Sequence, residues 1–219
     1  PYPCSDQQKL HLNRKEVRSS LWGNSMKIIE EYFAALKQSM DSIDRSKILA
    51  AIRILTRTYV RKRRIYVIGN GGSASTASHM ACDLSKGTLR YDVAGGGRMK
   101  VASLADASAY TTAIANDLSY DYIFSEQLRG VLEKGDTVVA ISVSGNSPNI
   151  IEAVTLAKQM KAQTIGLLGF RTGGNLAKMV DCAIIVDSDD YGRCEDVHLM
   201  LNHIFTDWIA RNKQEIDKQ

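Results

Sequence analysis

The sequence predicts an α/β fold with a parallel sheet covered by helices on both faces. Three observations predict it. Five short apolar, β-rich runs alternate with helical patterns, as in parallel sheets buried on both sides. Two amphipathic helices precede the first strand. Two of the strands end in loops rich in glycine, serine and asparagine, and such strand ends carry ligands in open parallel sheets.

The elements follow in order. Residues 1–25 are polar, with Pro1, Pro3 and Gly23-Asn24-Ser25, and read as an N-terminal extension (tag, leader or linker) ahead of a domain over residues 26–219. A short helix near residues 7–21 is the alternative. From Met26, Ile28, Ile29, Tyr32, Phe33 and Leu36 recur at helical spacing. A second helix over about 46–61 carries Ile48, Leu49, Ile52, Leu55 and Tyr59, capped by Asp44 or Ser46. The two form a hairpin whose stripe is expected to bury against the sheet or a neighbouring subunit. Strands are expected at 64–68, 99–104, 137–142, 163–168 and 182–186. Helices are expected at about 74–86, 107–116, 123–132, 148–160 and 174–179, with a long final one at 194–212. The segment 91–98, with Gly95-Gly96-Gly97, reads as a flexible loop.

Composition narrows the class. The 219 residues are 44% hydrophobic and 24% charged, the proportions of an ordinary globule. No run is long and apolar enough to span a bilayer, and no signal peptide opens the chain. Cys4, Cys82, Cys182 and Cys194 lack metal-knuckle spacing and read as reduced thiols of a cytoplasmic protein. Of the net charge of +4, half lies in residues 1–25, which leaves too little on the domain to argue for nucleic acid. Arg61-Lys62-Arg63-Arg64 is the best basic cluster, but it lacks interleaved aromatics and reads as a solvated helix end.

Chemistry concentrates at two loops. Gly69-Asn70-Gly71-Gly72-Ser73-Ala74 follows the first strand. Its glycines permit a sharp turn and close approach of a ligand, Ser73 is placed as a helix N-cap, and the helix start favours an anion. The Gly-x-Gly-x-x-Ala spacing alone is a weak dinucleotide signal. Ser142-Val143-Ser144-Gly145-Asn146-Ser147-Pro148 follows the third strand and enters a helix with proline at its first position. There, hydroxyls and free amides can hold a phosphate without a metal. The lysine-containing phosphate loop of nucleoside triphosphatases is absent. Two cradles on one sheet point to one small phosphorylated ligand. His79 and Asp83 share a helix face at i, i+4, a spacing that suits a metal pair or an acid/base pair. Asn116-Asp117 ends another helix near the same rim. The last helix carries Glu195, Asp196, His198 and His203 among apolar residues, and a polar group buried there needs a partner. At least one of its histidines is expected to be functional.

Together these stretches resemble the sugar isomerase (SIS) domain family, and within it the phosphoheptose isomerase branch, over essentially residues 26–219. The resemblance implies a three-layer αβα sandwich with a five-stranded parallel sheet and a homotetramer with sites at subunit interfaces. It implies isomerisation of sedoheptulose 7-phosphate to an aldose phosphate through an enediol. Asn70, Gly71, Gly72, Ser73, Asn116 and Asp117 would meet the substrate, and Ser142, Val143, Ser144 and Ser147 its phosphate. His79, Asp83, Glu195 and His203 would form a metal and catalytic set holding zinc. Two positions depart from the pattern: Asp83 stands where glutamate is usual, and Glu195 where glutamine is usual. An octulose phosphate or a modified heptose is therefore an alternative substrate. Non-enzymatic alternatives are a phosphosugar sensor and a replication-initiation partner. The surviving His79, His203 and carboxylate at 83 favour an enzyme. Asp83, or Glu195 if Asp83 cannot reach, would be the carbon base, and His203 would shuttle protons between oxygens.

Helix geometry sets one constraint. Glu195 and His203 are eight residues apart, roughly 12 Å along a regular helix and about 80° around it. One zinc at roughly 2.0–2.2 Å from each ligand cannot join them. Either Glu195 precedes the regular helix, or the two ligands come from different subunits.

Overall fold

The computed structural model describes residues 14–89 and 97–219, with side chains from residue 25 onward. The helix expected at 7–21 lies partly, and Cys4 and most of the 91–98 loop lie wholly, outside the described residues. The chain divides into two compact units, Pro1–Gln38 and Ser39–Gln219.

Helix α1 spans Arg14–Asp41 and runs unbroken through Gly23-Asn24-Ser25, where the sequence pattern placed a linker. One glycine costs a helix only about 1 kcal/mol against alanine, which flanking helix formers absorb. Ile28, Ile29, Tyr32 and Phe33 are exposed. In α2 (Arg45–Val60) Ile52 and Leu55 of the expected stripe are buried, together with Ala51 and Thr58, whereas Leu49 is exposed. Asp44 is its cap, accepting from the Ser46 amide at 2.8 Å. Thr58 ties α2 to the sheet through a 2.6 Å hydroxyl contact with Thr137.

Five parallel strands form the sheet: β1 (Arg64–Gly69), β2 (Lys100–Ser103), β3 (Thr137–Ser142), β4 (Gln163–Leu168) and β5 (Cys182–Ile185), in the order β2-β1-β3-β4-β5. All of β3 is buried, as its uninterrupted apolar run requires. Alternate side chains serve opposite faces. Tyr66, Ile68, Val138 and Ala140 join one core with Leu128, Ile150 and Val154. Ile65, Val67, Val139 and Ile141 alternate with them and are equally buried.

Helices α3 (Gly72–Lys86), α4 (Ser108–Asp117), α5 (Ser125–Arg129), α6 (Pro148–Gln159), α7 (Leu176–Met179) and α8 (Tyr191–Asp217) connect and close the sheet. The helix expected over 123–132 is short, because the chain turns at Gly130. Helix α8 starts three residues earlier than its apolar pattern suggests. Asp190 caps it by accepting from the Arg193 amide at 2.8 Å. Cys82, Cys182 and Cys194 are free thiols, and burial raises the pKa of the latter two. Among the described residues no helix is long and apolar enough to cross a membrane.

Candidate active site

The strand order dictates where a ligand sits. From β1 the chain moves outward to β2, then returns across β1 to β3. The loops after β1 and β3 therefore diverge at a topological switch point, where open α/β sheets bind ligands. Register aligns Gly69 with Ile141, so the two expected cradles face each other. Between them lies a crevice of about 230 Å³, lined by Asn70, Ser73, Ser142, Val143, Ser144, Ser147, Tyr191 and Glu195. Two larger clefts lie elsewhere, one of them against Tyr59 and Asp217 and the other against Tyr122 and Arg129. Neither combines two helix starts with converging hydroxyls.

The first wall begins at Gly71, whose φ of 55° makes it the N-cap of α3. This corrects the placing of Ser73: it is buried inside the helix, because the left-handed turn at Gly71 starts α3 earlier. Asn70 lines the crevice with its side chain already tied. It pairs reciprocally with Asn149 of α6, both bonds 2.9 Å, and accepts from Tyr120 Oη at 3.1 Å. Asn149 is 1% exposed. This amide pair braces the two walls, and neither Asn149 nor Tyr120 was visible as a site residue in the sequence.

The second wall is folded on itself. Gly145 has φ 62°, and a Cβ there would lie 1.9 Å from the Gly173 carbonyl oxygen. Asn175 donates its amide to Asn146 Oδ1 at 2.9 Å, fixing the serine loop to the segment after β4. Two loop amides are already used: Gly145 donates to Ser142 Oγ at 3.2 Å and Asn146 to Ser144 Oγ at 3.3 Å. Each hydroxyl thus accepts from the loop and keeps its own proton to donate. The starts of α3 and α6 add bare amides and the positive ends of their dipoles. Among the described residues no lysine or arginine lines the crevice.

Glu195 enters the crevice from α8. A Cβ on Gly72 would lie 2.4 Å from both of its carboxylate oxygens, so the bare backbone at 72 makes room for that group. The carboxylate sits at the start of α3, where the dipole favours negative charge.

The other titratable groups gather along α3. His79 Nε2 lies 3.2 Å from Asp83 Oδ2, His203 Nε2 lies 3.7 Å from it, and the two imidazole nitrogens are 3.4 Å apart. Ligands about 2.0–2.2 Å from a tetrahedral zinc are separated from each other by about 3.3–3.6 Å. The three donor atoms therefore fit one ion, with a fourth position left for water or substrate. Glu195 is not among them: it lies within regular α8, away from the triad, so the option of an irregular start to that helix is excluded.

The two remaining sequence-predicted features separate. Asn116 and Asp117 end α4 exposed, bonded to each other at 2.8 Å, and among the described residues no hydrogen bond joins them to the crevice. His198 is fully buried. Its Nε2 donates to the Leu168 carbonyl at 3.0 Å, and burial lowers its pKa to about 4. It is a neutral tie between α8 and β4, and the exposed histidine of that helix, His203, is the one at the triad.

With a parallel five-stranded sheet and a crevice between two loops at the β1/β3 switch point, the chain belongs to the SIS domain family, whose model matches residues 31–169. Within it, the chain is 38% identical over 178 residues to the phosphoheptose isomerase of Helicobacter pylori strain P12, covering 81% of this chain and 90% of that protein. It is 40% identical over 169 residues to the phosphoheptose isomerase of Sulfurimonas denitrificans, covering 76% and 83%. The phosphoheptose isomerase of Neisseria gonorrhoeae superposes with a TM-score of 0.76 at 29% identity, covering 86% of this chain and 98% of that one.

Proposed function

We propose that the chain is an aldose–ketose isomerase that converts sedoheptulose 7-phosphate to the aldose heptose 7-phosphate through an enediol. One observation carries the reading: the serine-lined crevice lies at the start of α3, and a His-Asp-His triad lies further along it, completed by His203 of α8. Ser73 in the crevice and His79 in the triad are six residues apart, roughly 9 Å of helix. An extended seven-carbon sugar phosphate covers about that distance from its phosphorus to its reacting carbons. The relatives' shared activity supports the same substrate.

The residues divide the work by position. Ser142, Ser144 and Ser147, with Val143 and the starts of α3 and α6, hold the phosphate. Asn70, Gly71, Gly72 and Ser73 form the wall along the sugar. Zinc held by His79, Asp83 and His203 would supply Lewis-acid polarisation of the carbonyl. Glu195 lies in the crevice, eight residues and roughly 12 Å along α8 from His203, so Asp83, whose carboxylate is at the triad, is the carbon base. It removes the C1 proton, the C–H pair becomes the enediol double bond, and the carbonyl oxygen takes a proton. Returning the proton to C2 while the O1 proton leaves gives the aldehyde. His203 carries protons between the two oxygens.

We read residues 26–219 as the catalytic domain and the enzyme as a cytoplasmic homotetramer with sites at subunit interfaces. The exposed apolar stripe of α1 and the three free thiols support this.

The test is incubation with sedoheptulose 7-phosphate in deuterated water beside a panel of ketose phosphates, for the unchanged chain and for Asp83→Asn. Aldose formation with deuterium incorporation, lost in D83N, is expected. Conversion of a different ketose phosphate alone would overturn the substrate, and full exchange in D83N would overturn the base.

A further inference from the structure

The triad's carboxylate is held from behind by an asparagine of α8. Asn202 is fully buried in α8, and its Nδ2 donates to Asp83 Oδ2 at 2.8 Å. That oxygen is the same one that approaches His79 Nε2 at 3.2 Å and His203 Nε2 at 3.7 Å. The amide takes one side of the oxygen and leaves the other directed at the histidines. Rotating the carboxylate away would break a part-buried hydrogen bond to a charged group and strand the amide.

The remainder of the Asn202 side chain shows that packing alone does not account for it. Its Oδ1 is buried and has no hydrogen-bond partner among the described residues. An apolar residue of that size would carry no such cost. The reverse amide orientation would put Oδ1 against the carboxylate and leave Nδ2 stranded instead. What the buried amide gains is its contact with Asp83. Residues 202 and 203 are adjacent, about 100° apart around the helix. One turn of α8 therefore supplies a histidine at the rim of the triad and, behind it, the group that aims the carboxylate. Two side chains of α8 meet two side chains of α3, His203 with His79 and Asn202 with Asp83.

We propose that Asn202 is a positioning residue, holding Asp83 Oδ2 toward His79 and His203 so that the three donor atoms are preset before an ion or substrate arrives. The inference rests on the reading above for what the triad holds, and on the contact itself for how it is held.

The test is a double-substitution cycle on the full chain, read by cobalt(II) titration of the metal-stripped protein and by the visible spectrum of the bound ion. Asn202→Leu removes the donor. Asp83→Glu keeps a carboxylate but carries it one methylene past the amide. With Asp83 present, N202L is expected to weaken cobalt binding about tenfold or more, the range of losses when a group behind a metal ligand is removed. With Glu at 83, N202L should change binding less than about twofold, because there is no contact left to lose. Equal losses in both backgrounds, or no loss with Asp83, would overturn the proposal. Far-UV circular dichroism checks that N202L folds, and Asn202→Ala carries the same cycle if it does not. If the unchanged chain takes up no cobalt, the metal reading fails separately. The cycle is then read on kcat against KM: a kcat loss from N202L confined to the Asp83 background supports the proposal, and equal losses overturn it.

Discussion

His198 ties the stability of the enzyme to pH over a window that can be worked out. Its ring is fully buried with one hydrogen bond, to Leu168, and its pKa is lowered to about 4 from 6.5 by burial. The unfolded chain accepts a proton on this ring near pH 6.5, whereas the folded chain refuses it until about pH 4. The neutral ring's contribution is therefore whole above pH 6.5 and is lost as pH falls from there toward 4. Between pH 7.5 and 5.0 the two titration curves diverge by about 2 kcal/mol. The assay is equilibrium urea unfolding followed by far-UV circular dichroism at pH 7.5, 6.0 and 5.0, for the unchanged chain and for His198→Gln. A glutamine amide can donate to the Leu168 carbonyl but does not titrate, and the other histidines are common to both proteins. The unchanged chain should lose about 2 kcal/mol more than H198Q across the interval. Parallel pH dependences would refute the reasoning.

Two further substitutions test the crevice walls. Gly72→Ala puts a Cβ 2.4 Å from both Glu195 oxygens; pushing that carboxylate an ångström into the crevice should misplace the substrate and lower kcat/KM about a hundredfold with little change in Tm, and wild-type turnover would show that the crevice does not seat the substrate. Gly145→Ala forces a side chain onto a backbone at φ 62° and within 1.9 Å of the Gly173 carbonyl. It should cost about 3 kcal/mol from left-handed strain plus overpacking, and an unchanged thermal midpoint would show that the serine loop gives way.

The sheet was legible because its strands are apolar runs that need no partner to be recognised: β3 and β4 fall at the residues their hydropathy marks. The boundaries that moved did so for local reasons invisible to periodicity. Gly71 turns left-handed and starts α3 ahead of Ser73, and Asp190 caps α8 ahead of its apolar pattern. Both loops of the crevice, and the three side chains that meet as His79, Asp83 and His203, could be read from spacing and resemblance. The separation of Glu195 from His203 follows from helix arithmetic alone. Asn149, Tyr120 and Asn202 were hidden, because each acts on a residue far away in the chain: Asn149 is 79 residues from Asn70, Tyr120 is 50 from it, and Asn202 is 119 from Asp83. A lone asparagine in a helix has no signal until its partner is brought to it.

The Asn70–Asn149 brace has a consequence for turnover. On the proposed reading, it and the serine hydroxyls grip the phosphate with groups that carry no charge near neutral pH. Substrate and product of an isomerase carry the same phosphate, so such a grip holds both alike and leaves the equilibrium between them untouched. What it supplies is a fixed point from which the other end of the sugar can be turned, in either direction, against the groups that move its protons.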